Sequence, residues 1–149
     1  MVKYHGFVTS KTPTHIKKLI QRDEKGVPLE GKFEREKYKG DQVISREWFK
    51  NGQLVSRGNY KDGKEHGLTE GYYENGQLEI RGNYKDGKLD GLFEWFDKDG
   101  KPTKTGEIRN GKYQSKTTFT YHRNHKLKKR ENWKNGNRDG LWEWFHKNG

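Results

Sequence analysis

From residue 48 onward the chain alternates apolar and polar positions two by two, the period of an extended strand with one face buried. In 53–60, Leu54, Ser56, Gly58 and Tyr60 fall on one face, and Gln53, Val55, Arg57 and Asn59 on the other. Leu78, Ile80, Gly82 and Tyr84 repeat the first set further along the chain. The return segments pair Leu68 with Tyr72, Leu92 with Phe96 and Leu141 with Phe145, and a less regular unit places Phe119, Tyr121, Leu127 and Trp133 in equivalent positions. The pattern predicts one apolar face of a long antiparallel sheet.

Two interleaved ladders of turn residues mark where the strands reverse. Gly52, Gly76, Gly100 and Gly149, with His125 in the matching place, recur at a constant interval that lengthens by one position only between Gly100 and His125. A period of about 24 residues is that of a repeat architecture. Gly63, Gly87, Gly111 and Gly136 form the second ladder, each preceded by Asp or Asn. Asn-Gly and Asp-Gly suit hairpin turns because glycine, and to a lesser degree Asn and Asp, accept positive φ. Two turns per unit leave segments of about eight to ten residues, a strand length. Glycine inside the segments, at Gly58, Gly67, Gly82, Gly91 and Gly106, would cost about 1 kcal/mol each in a helix. The expected architecture is therefore all-β: an elongated, twisted antiparallel sheet of consecutive β-hairpins, with residues 15–21 the only stretch where a helix competes. Stacked hairpins bury their apolar faces against one another and need different terminal units.

The run Gly67-Leu68-Thr69-Glu70-Gly71-Tyr72-Tyr73-Glu74-Asn75-Gly76-Gln77-Leu78, continued through Gly82, Tyr84 and Gly87 to Gly91, resembles a MORN repeat in its bacterial variant form. The resemblance covers 48–149, strongest over 48–96 and weaker over 97–133, where Ser115 replaces an expected glycine. It implies units near 48–71, 72–95, 96–120 and 121–144 with a partial unit at 145–149. Residues 1–47 then form a degenerate N-terminal repeat or cap, with a turn at 23–26. Bacterial proteins of this type are commonly antitoxin or immunity proteins, so the resemblance implies an inhibitor that binds an effector enzyme such as a toxin or nuclease.

Composition changes the picture in two ways. Leu, Ile, Val and Phe make up only 26 of 149 residues, which with a net charge of +11 is a composition of disordered chains. Twenty aromatic side chains supply the missing apolar area, since each buries about 150–250 Å². The charge is graded along the chain. Residues 1–47 carry 11 basic and 7 acidic side chains, 48–96 carry 7 and 8, and 97–149 carry 14 and 6. Its densest piece holds Arg123, Lys126, Lys128, Lys129 and Arg130 within eight residues. If 121–130 is a hairpin turning at Asn124-His125, these charges gather at one tip and attract polyanions.

Catalytic chemistry finds little to use. The absence of cysteine excludes disulfides, thiolate metal sites and cysteine nucleophiles. No nucleophile elbow or phosphate-cradling loop is present. His122 and His125 are close in sequence, but their odd spacing in a strand puts them on opposite faces and argues against a shared metal. Glu70, Glu94 and Glu143 occupy one repeat position, which ties them to the scaffold. Neither an enzyme nor a cofactor is expected. The N-terminus shows no secretory signal and no segment is apolar enough to span a membrane, so a cytoplasmic protein is expected.

Irregularities in the repeat nominate contact residues. One and three residues before the recurring aromatic, beginning at Trp48, the units carry Glu47 and Ser45, Gly71 and Thr69, Trp95 and Phe93, Thr120 and Thr118, and Trp144 and Trp142. Phe93, Trp95, Trp142 and Trp144 are the candidates for binding a protein partner, because the scaffold needs only the common positions and Trp is frequent in binding hot spots. The alternatives are nucleic acid, held by 123–130 with Trp142 and Trp144 stacking on bases, and acidic membrane headgroups, for which only the basic tip speaks. Open sheet ends are compatible with a homodimer.

Overall fold

The computed structural model describes residues 2–5 and 30–148, and every regular element among them is a β-strand. The strands are β1 (Val2–His5), β2 (Lys32–Lys39), β3 (Gln42–Lys50), β4 (Gln53–Lys61), β5 (Lys64–Tyr72), β6 (Leu78–Lys85), β7 (Lys88–Phe96), β8 (Pro102–Arg109), β9 (Lys112–Tyr121), β10 (Leu127–Lys134), β11 (Asn137–Arg138) and β12 (Glu143–Trp144). They form one antiparallel sheet in chain order, with β11 and β12 both paired to the outer side of β10. The array of consecutive hairpins expected from the turn ladders is the fold. Residues 47 and 48, where the sequence reading ends a cap and starts the array, lie inside β3, which pairs along its length with β2. The segments 15–21 and 23–26 lie outside the described residues.

The two glycine ladders build two kinds of turn. At Asn51-Gly52, Asp62-Gly63, Asp86-Gly87, Asn110-Gly111 and Asn135-Gly136 the first residue has φ of 48–52° and the glycine 74–82°. These are tight two-residue hairpins whose twist matches the strands. At the long turns between β5 and β6, β7 and β8, and β9 and β10, the positive φ falls on Gly76, Gly100 and His125. The loops there are longer, closed by Tyr73 N donating to Gln77 O, Asp97 N to Lys101 O, and His122 N to Lys126 O. Adjacent long turns are tied together. Asn75 Nδ2 donates to Lys98 O and Asn124 Nδ2 to Lys147 O, both at 2.8 Å and both 23 residues apart.

Strict alternation fails at two places in each repeat, and this corrects the expectation of a single apolar face. One extra residue bulges out near the start of every second strand, at Val55, Glu79, Thr103 and Lys128. A one-residue bulge inverts the facing of what lies beyond it. Leu54 and Leu78 therefore share a face with Arg57 and Arg81, while Ser56, Gly58, Tyr60, Ile80, Gly82 and Tyr84 point to the opposite face. A wider bulge sets three residues against one: His66, Gly67 and Leu68 against Asn59, and Asp90, Gly91 and Leu92 against Asn83. Gly67 and Gly91 adopt φ of +97° and +116° there, and Asn59 Nδ2 donates to Leu68 O. The bulge turns the leucine out of the sheet. Leu68, Leu92 and Leu141, expected in the core, are exposed by 42%, 68% and 63%.

Rings consequently pack on both faces. On the first lie Phe33, Phe49 and Leu54, with Phe33 and Phe49 centroids 5.8 Å apart. Phe49 takes the core place expected of Trp48, because the Asn51-Gly52 turn is short and pairs Phe49 with Leu54; Trp48 faces solvent. On the second face Phe93 is the most buried large side chain among the described residues, with Ile108 near it in the sheet and Tyr113 edge-on at 5.5 Å. Its cross-strand neighbours are Gly82 and Gly106.

Candidate interaction surface

The first face carries an alternating charge ladder. Arg35, Glu47, Arg57, Glu70, Arg81 and Glu94 are successive cross-strand partners from β2 to β7. Arg35 Nε donates to Glu47 Oε2 at 2.5 Å, and Arg57 to Glu70 and Arg81 to Glu94 in the same way. Arg130 pairs with Glu143 further along. The guanidinium carbons of Arg35 and Arg81 lie 5.2 and 5.7 Å from the ring centroids of Phe49 and Phe96, joining the ladder to the aromatic row beside it. Burial pushes the Glu70 carboxyl up, but the hydrogen bonds from Arg57 and from the Tyr72 hydroxyl outweigh it and hold the group below the usual carboxylate range. Cross-strand pairs of this kind stabilise a sheet by roughly 0.2–1 kcal/mol each. The repeated Glu70, Glu94 and Glu143 are thus all engaged in ion pairs.

The second face, from β7 to β12, is aromatic and cationic. Trp133 lies 5.4 Å from Trp142, and Trp142 6.3 Å from Trp144. Lys116 Nζ lies 4.8 Å from the Trp133 ring centroid, Lys104 Nζ 5.6 Å from that of Trp95, and Arg138 Cζ 3.8 Å from that of Trp142. Lys129 Nζ is shared between Trp142 and Trp144, at 5.1 and 5.3 Å, and also bonds Glu131 at 2.6 Å. Cations held over rings in this way gain about 0.5–1 kcal/mol at exposed sites. The lysine ammonium groups thus lie over the rings, with the side chains half-buried.

Of the four nominated rings, Phe93 is the correction: at 1% exposure it is core, and no partner can reach it. Trp95 is half-buried beneath Lys104. Trp142 is half-buried, its Nε1 donating to Asn132 O at 3.1 Å. Trp144 alone of the four stands out into solvent, at 64% exposure. The basic run does not form one patch, because strand alternation and the bulge at Lys128 separate sequence neighbours. Arg123 and Lys128 are exposed, Lys126 Nζ reaches Asn148 O at 3.0 Å, Lys129 lies among the indoles, and Arg130 is paired with Glu143 on the other face. What the sequence reading missed are Lys104, Lys116, Trp133 and Arg138. Their signal is the register across the 122–126 and Asn135-Gly136 turns, which makes Lys116, Trp133 and Arg138 direct neighbours.

The histidines go to separate tasks. His122 Nε2 meets Phe145 O at 2.7 Å, and His125 Nδ1 lies 3.3 Å from Asp99. Among the described residues no group of three or more His, Asp or Glu is placed to hold a metal ion, and no helix is long and apolar enough to cross a membrane.

A sheet that grows by one hairpin per repeat defines a β-hairpin repeat protein. Three consecutive stretches, 42–62, 65–86 and 89–110, match the MORN repeat variant, and these repeats point to a repeat-built binding protein. Each match spans one whole hairpin closed by the turn at Gly52, Gly76 or Gly100: β3 with β4, β5 with β6, and β7 with β8. No curated protein matches the chain. Among solved structures, S. aureus TarM superimposes with a TM-score of 0.42 at 15% identity, over 72% of this chain and 22% of TarM. A TarM variant in complex with fondaparinux, α-GlcNAc-glycerol and UDP gives the same TM-score at 14% identity, over the same shares of the two chains. The chain thus spans about a fifth of TarM, and a likeness of that size carries no argument.

Proposed function

We propose that this protein is a non-catalytic binder that docks on another protein in the cytoplasm and restrains it, the target being an effector enzyme such as a toxin or nuclease, in the manner of an antitoxin or immunity protein. The observation that carries the reading is Trp144: a large indole, 64% exposed, braced on one side by Trp142 and Lys129. A ring held rigid in solvent loses little conformational freedom on docking and presents a large contact area, the property of a hot-spot residue. Antiparallel pairing along the sheet fixes its position. The test is to sequence the genes beside this one and, where an effector enzyme is encoded there, to purify it with the chain and assay it. Stoichiometric inhibition that Trp144→Ala abolishes, with far-UV circular dichroism unchanged, supports the reading. An enzyme that neither binds nor slows in the presence of the intact chain overturns it.

A further inference from the structure

The two faces of the sheet treat charge differently. On the ladder face each arginine from Arg35 to Arg81 meets a glutamate across the strand, so little charge is left over. On the opposite face, the paired positions of β8 to β12 carry Lys104, Lys116, Lys129 and Arg138 against a single acid, Glu131, which Lys129 already occupies. The remaining three cations come from three different strands and each rests on a ring: Lys104 on Trp95, Lys116 on Trp133, Arg138 on Trp142. They form a checkerboard of positive heads and indole edges.

We infer that this face binds an acidic segment of a partner protein, its carboxylates meeting Lys104, Lys116 and Arg138 and its apolar side chains covering the indole edges and Trp144. The inference rests on the protein-binding reading above and names the chemistry of the partner. Charge complementarity selects an anion, and preorganisation favours it: the cations are held on the rings before binding, so less side-chain freedom is lost when a carboxylate arrives. One observation favours a protein over a nucleic acid. Base stacking needs free ring faces, yet Arg138 covers Trp142 and Lys116 covers Trp133.

The test uses the full chain and two fluorescein-labelled probes, a peptide alternating Glu and Leu and an oligothymidylate, with anisotropy read at about 150 mM salt, where exposed charges are screened beyond about 8 Å. The variant Lys104→Met, Lys116→Met, Arg138→Met removes the charges and keeps apolar stems over the rings. A control variant, Lys61→Met, Lys85→Met, Lys88→Met, lowers net charge equally elsewhere. The peptide is expected to bind the intact chain and the control alike, and the first variant at least about tenfold more weakly, the loss expected when interfacial charge contacts are removed. Equal weakening in both variants, no binding of the peptide, or tighter binding of the oligothymidylate overturns the inference. Should the first variant still inhibit a target enzyme fully, this surface falls and the protein-binding reading stands. Should the peptide bind as expected while the neighbouring enzyme is untouched, the surface stands and the inhibitor reading falls.

Discussion

Phe93 on β7 rests against Gly106, its cross-strand partner on β8. A Cβ placed on Gly106 would come within 2.9 Å of Phe93 Cε1, 2.8 Å of Lys116 Cα and 2.2 Å of the Ser115 carbonyl oxygen. Two of those three atoms are backbone and cannot move aside, so the glycine is what lets an aromatic ring lie down on the sheet. Gly106→Ala is expected to destabilise by about 1–3 kcal/mol or more through overpacking. At Gly58 the nearest atom to a Cβ is Thr69 Oγ1 at 3.0 Å, the end of a side chain, and Gly58→Ala is expected to cost less. Urea denaturation of the two variants decides; equal shifts in midpoint count against the packing account.

Leu92 and Phe93 are sequence neighbours with opposite fates. Leu92→Ser is expected to change stability by no more than about 0.5 kcal/mol, as for exposed positions generally, whereas Phe93→Ala is expected to lose about 3–5 kcal/mol. The pair is a direct check of the bulge at Gly91, which turns Leu92 out of the sheet while Phe93 stays paired with Gly82.

Glu70 predicts an acid limb. Its carboxyl is held below the usual carboxylate range in the folded chain, so at low pH the unfolded state binds the proton more readily and stability falls as pH drops through the usual carboxylate range, near 4, toward the lower folded value. Above that window the contribution is fully present. Glu70→Gln should lower stability at pH 7 and flatten the decline between pH 5 and 3. A variant with the same acid slope as the parent would place the titration elsewhere.

Trp144 and Trp133 separate binding from folding. Trp144→Ala removes a mostly exposed ring and is expected to leave the melting curve within about 1 kcal/mol of the parent, while Trp133→Ala, which removes a half-buried ring that packs on Trp142 beneath Lys116, is expected to cost about 3 kcal/mol or more. A large loss from Trp144→Ala would mean that its ring supports the fold.

The strands and turns were legible because they rest on local chemistry: only residues tolerant of positive φ fit at Gly52, Gly63, Gly87 and Gly111, and the period follows from them. The faces were not, because a single bulged residue such as Val55 or Glu79 inverts parity and leaves no mark in a two-by-two pattern. The charge ladder was half visible. Arg57 and Glu70, Arg81 and Glu94, and Arg130 and Glu143 keep one constant separation in the chain, and it becomes a contact only once the wide bulge is counted. The run 123–130 misled for the converse reason: proximity in sequence is not proximity on a strand, and Lys129 and Arg130 belong to opposite faces. Lys116 and Trp133 lie on different strands, so only the register brings them together.

The single longer repeat, whose added residue falls in β9, has a further consequence. Hairpins that were all interchangeable could pair one unit out of place and keep nearly every backbone bond, a trap for any chain of near-identical pieces. The extra residue removes that degeneracy. Where other long turns are joined by an asparagine reaching 23 residues ahead, those at Gly100 and His125 are joined by Lys101 Nζ donating to His125 O, with His125 beside Asp99. The hairpin of β9 and β10, set between β8 and β11, is thereby marked off from the others. One odd residue gives an otherwise periodic chain an address, from which every other hairpin can be counted.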